Sequence, residues 1–440
     1  MNRTEFWPGP LIFCWCLVLL FIGTRAQASV TDTSKTVGWE ERLEMLRAVP
    51  YVDLGEIWTD SVDMDVVFCD PELASPGYNI YCTRYSGETF LMDLYGEVVH
   101  RWSYKDYGGV GSYHHSIMLN NGDLLIIKEH KEVLQVTWDS EPVWRIKLTA
   151  HHDLAATAQG HLYVIVRKLM DHRGLKVWFD DIVHLTQQGQ KLGRWSTFDA
   201  LSELQQTMST DSFLDTILDS IETGWTPESE LLRPVRKAVD KPKVHKVDYF
   251  HMNTINLLPE NAAANSDARF QRGNFLVCFR NVNQIAVLDR VTHEVLWAWG
   301  EGQLQRPHHP TMQPDGRILI FDNGVHRYYS RVIELDPLTE EIVWEYKADP
   351  TVEFYSFGRG SAQRLPNGNT LICESDRGRA FEVTPDKELA WAWLNPAFRH
   401  DHRAGVYRMM RLPQDQVEAL LEKHKIEQPQ SYEVIEEVLE

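Results

Sequence analysis

The sequence predicts an all-β chain folded as a six-bladed β-propeller, with a helical insertion between blades three and four. Three observations predict it. A hairpin-like phrase ending in Trp recurs as MDLYGEVVHRW, DSEPVW, LTQQGQKLGRW, LDRVTHEVLW, LDPLTEEIVW and VTPDKELAW. Between these runs a second phrase, a tight turn and then a β-rich run, as NNGDLLII, AQGHLYVI, RGNFLVCF, PDGRILIF and PNGNTLIC. Near the end of the chain, GVYRMMRLP (405–413) resembles the inner-strand phrase GSAQRLP. The tryptophans are Trp102, Trp144, Trp195, Trp297, Trp344 and Trp391, spaced by 42, 51, 102, 47 and 47 residues. The long gap holds one repeat and an insertion. Four short strands per unit at this period are the pattern of propeller blades. Six blades is the expected count, with seven as the alternative.

The elements follow in chain order. Residues 11–22 read LIFCWCLVLLFI, behind Arg3 and ahead of the small-x-small run Ala26-Gln27-Ala28. That apolar core is shorter than the roughly 20 residues a bilayer span needs, so 1–28 is expected to be an export signal. An uncleaved anchor is the alternative, since Glu5 offsets Arg3. Either way the folded part is expected outside the cytoplasm, periplasmic or extracellular. Residues 29–75 form an N-terminal extension that opens with the helical-looking TVGWEERLEMLRAV. The propeller is expected over 76–413, and a C-terminal helical tail over 414–440.

Blade one lacks an inner strand of its own. PGYNIYCTRYSGETFLMDLYGEVVHRW aligns with blade six from the second strand onward, so 405–413 is expected to complete blade one and close the ring without a free sheet edge. Residues 198–245 carry apolar residues at helical spacing, as in FDALSELQQTMSTDSFLDTILDSI, and read as a lid or as a buttress. The tryptophans are expected to pack between blades, and the Asp and Thr of LDRVT and LDPLT to make turns.

Composition narrows the function. Lys and Arg number 44 against 63 Asp and Glu, for a formal charge of -19. With no basic stretch in the sequence, nucleic acid is not an expected partner. No phosphate-cradling G-x-x-x-x-G-K-[ST] loop is present, so no nucleotide is expected either. Cys14 and Cys16 belong to the signal. Cys82, Cys278 and Cys373 share one repeat position, after Gly77, Gly273 and Gly368, and read as small buried strand residues. A Cys69–Cys82 bridge is conceivable, but the fold does not depend on it.

The histidines carry the chemistry. His114, His152 and His308 each lie six residues before the turn that follows their strand, and His251 stands two residues further out in blade four. Inner strands surround the central channel, so these side chains are expected at one funnel mouth. His115 and His309 are their neighbours. The second strand returns to the same rim and places Arg167, Arg280 and Asn323 there, with Asp153 and Asp322 as the few carboxylates. A guanidinium fork and imidazole donors suit a tetrahedral oxyanion.

The phrases HHD (151–153), DYFHMN (248–253), FR (279–280), PHHP followed by ILIFDNG (307–324), and GSAQRLPNGNTLI resemble the bacterial arylsulfate sulfotransferase family. The resemblance covers roughly residues 76–413. It implies transfer of a sulfuryl group from an aryl sulfate donor to a phenolic acceptor, in a ping-pong reaction through a sulfohistidine, with no cofactor. By motif, His308 corresponds to the nucleophile, with His309 one residue away. His251 corresponds to the D-x-x-H-x-N histidine, Arg280 to the sulfate-binding arginine and His152 to the histidine of HHD. His309, Asn253, Asn323, His114 and His115 are the expected substrate-binding residues. The separate N-terminal β-sandwich of well-known bacterial members has no room in 29–75, and the oligomeric state stays open.

The chemistry is self-consistent apart from the resemblance. A neutral imidazole with a pKa near 6.5 is a competent nucleophile at pH 7, and a phenolate leaves readily. Two other classes compete. Four histidines around an axis could ligate a metal, although an arginine among them would oppose a cation. A non-catalytic binding propeller is the third reading. A quinone-cofactor dehydrogenase would need a calcium-binding carboxylate cluster that the sequence does not show.

Overall fold

In the computed structural model, the described residues are 65–83, 86–104, 113–157, 159–172, 175–208, 246–399 and 402–427. The expected export signal, the start of the extension, most of the 198–245 insertion (209–245) and the end of the tail (428–440) lie outside them.

Six antiparallel sheets form the blades of a propeller. Blade two is Tyr113–Met118, Leu124–Lys128, Glu132–Val136 and Pro142–Lys147. Blades four, five and six repeat the order from Met252–Leu257, His308–Met312 and Ser361–Arg364 as inner strands. Each blade buries both faces, so there is no single core. Six apolar clusters lie instead between successive blades, as where Leu276 and Trp297 of blade four meet Ile318 and Ile333 of blade five. Trp102, Trp297 and Trp391 are buried in these clusters, and Trp144, Trp195 and Trp344 pack partly buried against them. Burying side chains of this size stabilises by about 1.5–3 kcal/mol each.

The ring closes as the sequence predicts. Val406–Leu412 pairs with Tyr78–Thr83 and becomes the inner strand of blade one. A buried polar latch fixes it. Arg411 donates to Glu382 of blade six (2.9 Å) and to Asn79 of blade one (2.7 Å), while Glu382 accepts from the Ser75 amide (2.7 Å). Helix Gln414–Glu427 follows, burying Val417 and Leu420 and laying His424 flat on Trp138 at 4.7 Å.

Two strands extend blades beyond the four-strand repeat. Asp65–Cys69, the last part of the N-terminal extension, adds an outer fifth strand to blade six. Lys246–Asp248 runs parallel to Lys176–Trp178 and extends blade three. Of the insertion, the described helix is Leu201–Thr207, which buries Leu201 and Leu204 beside blade three. Cys69 and Cys82 are unbridged, and Cys82, Cys278 and Cys373 are buried free thiols. The expected turns form too, with Asp289 accepting from the amides of Val291 and Thr292.

Candidate active site at the channel mouth

The inner strands break register where the histidines fall. Pairing with the second strand shifts between Ala150 and Leu154, between Met252 and Thr254, and between His308 and Thr311. His152, His251 and His309, in or beside these breaks, have left-handed backbones, with φ of 59°, 54° and 48°. A non-glycine residue held there costs about 1–2 kcal/mol, and a bulge of this kind re-aims the side chain.

His308 is buried on the inner strand of blade five. Its Nδ1 lies 2.7 Å from Asn323 Oδ1 and 3.1 Å from the Arg306 carbonyl. Asn323 is itself fixed, because its Nδ2 donates to the carbonyls of Ser356 (2.6 Å) and Arg359 (2.8 Å). Both groups facing Nδ1 are therefore acceptors, so Nδ1 carries the proton. Nε2 keeps its lone pair and is buried with no hydrogen-bond partner among the described residues. Gly324 makes the turn after Asn323 with φ +70°, and a Cβ there would overlap the Tyr329 carbonyl oxygen. Burial, and then the charge of Arg280, holds the His308 imidazole well below its ordinary range, so it is neutral at pH 7.

His251 forms a second array with His152. Its Nδ1 lies 2.6 Å from Asp248 Oδ2, and Arg167 donates to the same oxygen at 3.0 Å. Its Nε2 lies 2.8 Å from His152 Nε2. Burial lowers His251 to about 4 against the opposing pull of Asp248. Burial alone would raise the Asp248 carboxyl, but His251 and Arg167 hold it well below the usual carboxylate range. The parallel strand Lys246–Asp248 is what brings this carboxylate to the histidine.

Arg280 is buried at the end of blade four's second strand and donates to Asn281 Oδ1 (3.0 Å). Its charge lowers both His308 and His251. Asn253 spends its amide within the protein, donating to the Pro307 carbonyl (2.9 Å) and accepting from Thr254 Oγ1 (3.1 Å). It braces blade four against blade five.

The neighbours of the site histidines turn elsewhere. His309 faces the Ala362 carbonyl through Nδ1 (3.0 Å), and its amide donates to Thr254 Oγ1. His115 accepts from Arg408 at Nε2 (3.2 Å) beside Asp153 (3.4 Å). Asp153 takes both Arg408 Nη atoms at 3.3 Å and the amides of Leu154 and Ile255. The His114 backbone lies in Tyr113–Met118, but its side chain falls outside the described residues.

Sequence reasoning missed several groups here. Tyr407 and Arg408 come from the closing strand, where the repeat alignment could have counted them onto the same level as His308 and His309. Asp248 lies inside the D-x-x-H spacing, but the spacing alone does not pair it with His251. Asp180, pushed up to about 7 by burial and then by Asp248, sits 3.1 Å from His151. Among the described residues, no three His, Cys, Asp or Glu side chains are arranged to hold a metal ion.

The sequence model of the family described as "Arylsulfotransferase (ASST)" matches residues 96–396. No curated protein matches. Among solved structures, a protein of unknown function from Bacteroides caccae is 14% identical, with a TM-score of 0.46, covering 76% of this chain and 98% of that one. A streptogramin B lyase is 9% identical, with a TM-score of 0.43, covering 79% and 96%. A catalytically inactive virginiamycin B lyase from Staphylococcus aureus, with quinupristin, is 8% identical, with a TM-score of 0.39, covering 74% and 87%.

Proposed function

From the premise that the chain belongs to the arylsulfotransferase family, we propose that it moves a sulfuryl group from an aryl sulfate to a phenol by way of a sulfohistidine on His308. Family membership itself suggests aryl sulfotransferase activity on small aryl substrates. The single observation that supports His308 is its lone pair: Nδ1 is committed to Asn323 and Arg306, and Nε2 is unpartnered among the described residues. His309 also turns its Nδ1 to an acceptor, the Ala362 carbonyl, so the choice between the two rests on the motif and on the unpartnered Nε2 of His308.

In the first half-reaction His308 Nε2 forms a bond to sulfur. The bond from sulfur to the aryl oxygen breaks, and its electron pair leaves on the phenolate. The proton on Nδ1 stays, and Asn323 Oδ1 steadies the cationic ring that carries the sulfuryl group. Arg280 offsets charge on the sulfuryl oxygens, as an oxyanion donor does. In the second half-reaction an acceptor phenol loses its proton to the His152–His251 pair, its oxygen bonds to sulfur, and the Nε2–sulfur bond breaks with its electron pair returning to His308. Asp248 stabilises the imidazolium formed. The proton released by the acceptor matches the one the first phenolate takes up, so the cycle leaves no net proton change.

The 1–28 segment supports export of the chain to the periplasm or the outside, with membrane anchorage as the alternative. Steady-state kinetics test the reaction order. Varying an aryl sulfate at several phenol concentrations should give parallel double-reciprocal lines. Intersecting lines would mean that both substrates bind before transfer, and the covalent route would fall.

A further inference from the structure

The array around His251 extends beyond the residues that carry the proposed chemistry. Tyr407, from the closing strand of blade one, is buried with its hydroxyl 3.4 Å from His152 Nδ1 and 3.5 Å from the Asn253 carbonyl. Its ring lies 6.0 Å from that of His152 at an interplanar angle of 24°, and Arg408 sits over its face at 5.6 Å. Burial pushes the Tyr407 phenol well above its ordinary range, so the hydroxyl keeps its proton.

Donor and acceptor roles can be assigned from the far end. Asp248, paired with Arg167, is an acceptor, so neutral His251 donates from Nδ1 and presents a lone pair at Nε2. The 2.8 Å contact then requires His152 to donate from Nε2. A neutral imidazole with its proton on Nε2 has only a lone pair at Nδ1, and a hydroxyl is the group standing there. We propose that Tyr407 is a positioning residue that donates to the Nδ1 lone pair of His152 and steadies the Nε2-protonated tautomer that Asp248 and His251 set, completing a one-directional chain from Tyr407 through His152 and His251 to Asp248.

This deepens the sulfotransferase reading and rests on it for its kinetic consequence. The acceptor-activating pair depends on which ring nitrogen of His152 holds the proton. If the proton sits on Nδ1, the lone pairs of His152 and His251 face one another across 2.8 Å, and the pair springs apart. The closing strand thus carries more than ring closure, because it also supplies a hydrogen-bond donor to a histidine on blade three.

The test uses the full chain labelled with nitrogen-15 at histidine, read by long-range proton–nitrogen correlation. The His152 signal is identified by its loss in His152→Gln. The expected wild-type pattern is a proton on Nε2. Tyr407→Phe, which keeps the ring against His152, should leave the proton on Nε2 and shift the Nδ1 resonance toward that of an unbonded lone pair. It should lower kcat for sulfuryl transfer by about tenfold, with KM for the aryl sulfate and the thermal midpoint unchanged. A wild-type proton on Nδ1, or a Tyr407→Phe spectrum identical to wild type, overturns the proposal. The wild-type spectrum alone decides if the variant fails to fold. Absence of sulfuryl transfer by the wild type would sink the sulfotransferase reading while leaving the tautomer result to stand or fall by itself.

Discussion

The side-chain oxygen of Asn323 meets Nδ1 of His308 at 2.7 Å, and the other end of the same amide is anchored on the carbonyls of Ser356 and Arg359. The amide cannot flip without leaving two carbonyls unbonded and turning a donor onto a donor. It therefore fixes the tautomer of His308 and leaves Nε2 as the reactive atom.

Replacing His308 by Ala should abolish turnover and leave the fold intact, since the six inter-blade clusters do not include it. Asn323→Leu should lower kcat by about tenfold, the worth of one well-placed hydrogen bond that strengthens as the ring gains charge. Circular dichroism with turnover assays checks both. Wild-type turnover in the His308 variant would remove it from the chemistry.

Arg280→Ala should reduce kcat by about 10²–10³, as for a lost oxyanion donor. Arg280→Lys should recover part of that, because charge is kept while the planar fork is lost. Kinetics at saturating donor give the answer, and an unchanged kcat in the alanine variant would dismiss the anion-clamp role.

Asp248→Asn should lower kcat by about 10²-fold, because the amide no longer stabilises a cationic His251. Single-turnover measurements should place the loss in the second half-reaction, where the acceptor is deprotonated. A loss confined to the first half-reaction would assign Asp248 to the donor instead.

Acid should destabilise the protein steeply. His251, His308 and His309 are all lowered by burial, His251 to about 4. Between the unfolded value near 6.5 and the lowered folded values, the unfolded chain binds more protons than the native one. Stability is thus fully present above pH 6.5 and falls as pH drops toward 4, by up to about 1.4 kcal/mol per pH unit for each such histidine. His308→Gln should make the acid limb of the Tm profile shallower. An unaltered slope would show that His308 does not titrate differently on unfolding.

The latch that closes the ring should be expensive to break. Arg411→Met leaves the buried Glu382 carboxylate without its cation, at a cost of about 3–5 kcal/mol. A urea midpoint within error of wild type would show that closure rests on strand pairing alone.

Much of this architecture is legible in the sequence, for physical reasons. Trp-ended phrases recur because each blade must bury an outer strand against its neighbour, and a repeat so constrained shows its period. The closing strand is legible because GVYRMMRLP resembles GSAQRLP. The site is legible only where spacing reflects the strand register. His152 and His308 sit at matching levels of their strands, whereas His251 precedes Met252 and reaches His152 through a left-handed backbone that counting cannot reveal. Asp248 reaches His251 through a strand that follows the insertion, and Tyr407 reaches His152 across 255 residues of sequence. Such pairs are made by the ring, not by any local phrase. The strand at Asp65–Cys69 was likewise hidden, because DVVFC lies outside the repeat and finds its place only on the outer edge of blade six.

The central claim is a covalent sulfuryl group on His308. Intact-protein mass spectrometry, after brief mixing with an aryl sulfate and no acceptor, followed by peptide mapping, tests it most directly. A single sulfuryl adduct on His308 that disappears when a phenol is added is the predicted result. An adduct on His309 or another residue would contradict the site, and no adduct with no phenol released would contradict the sulfotransferase reading itself.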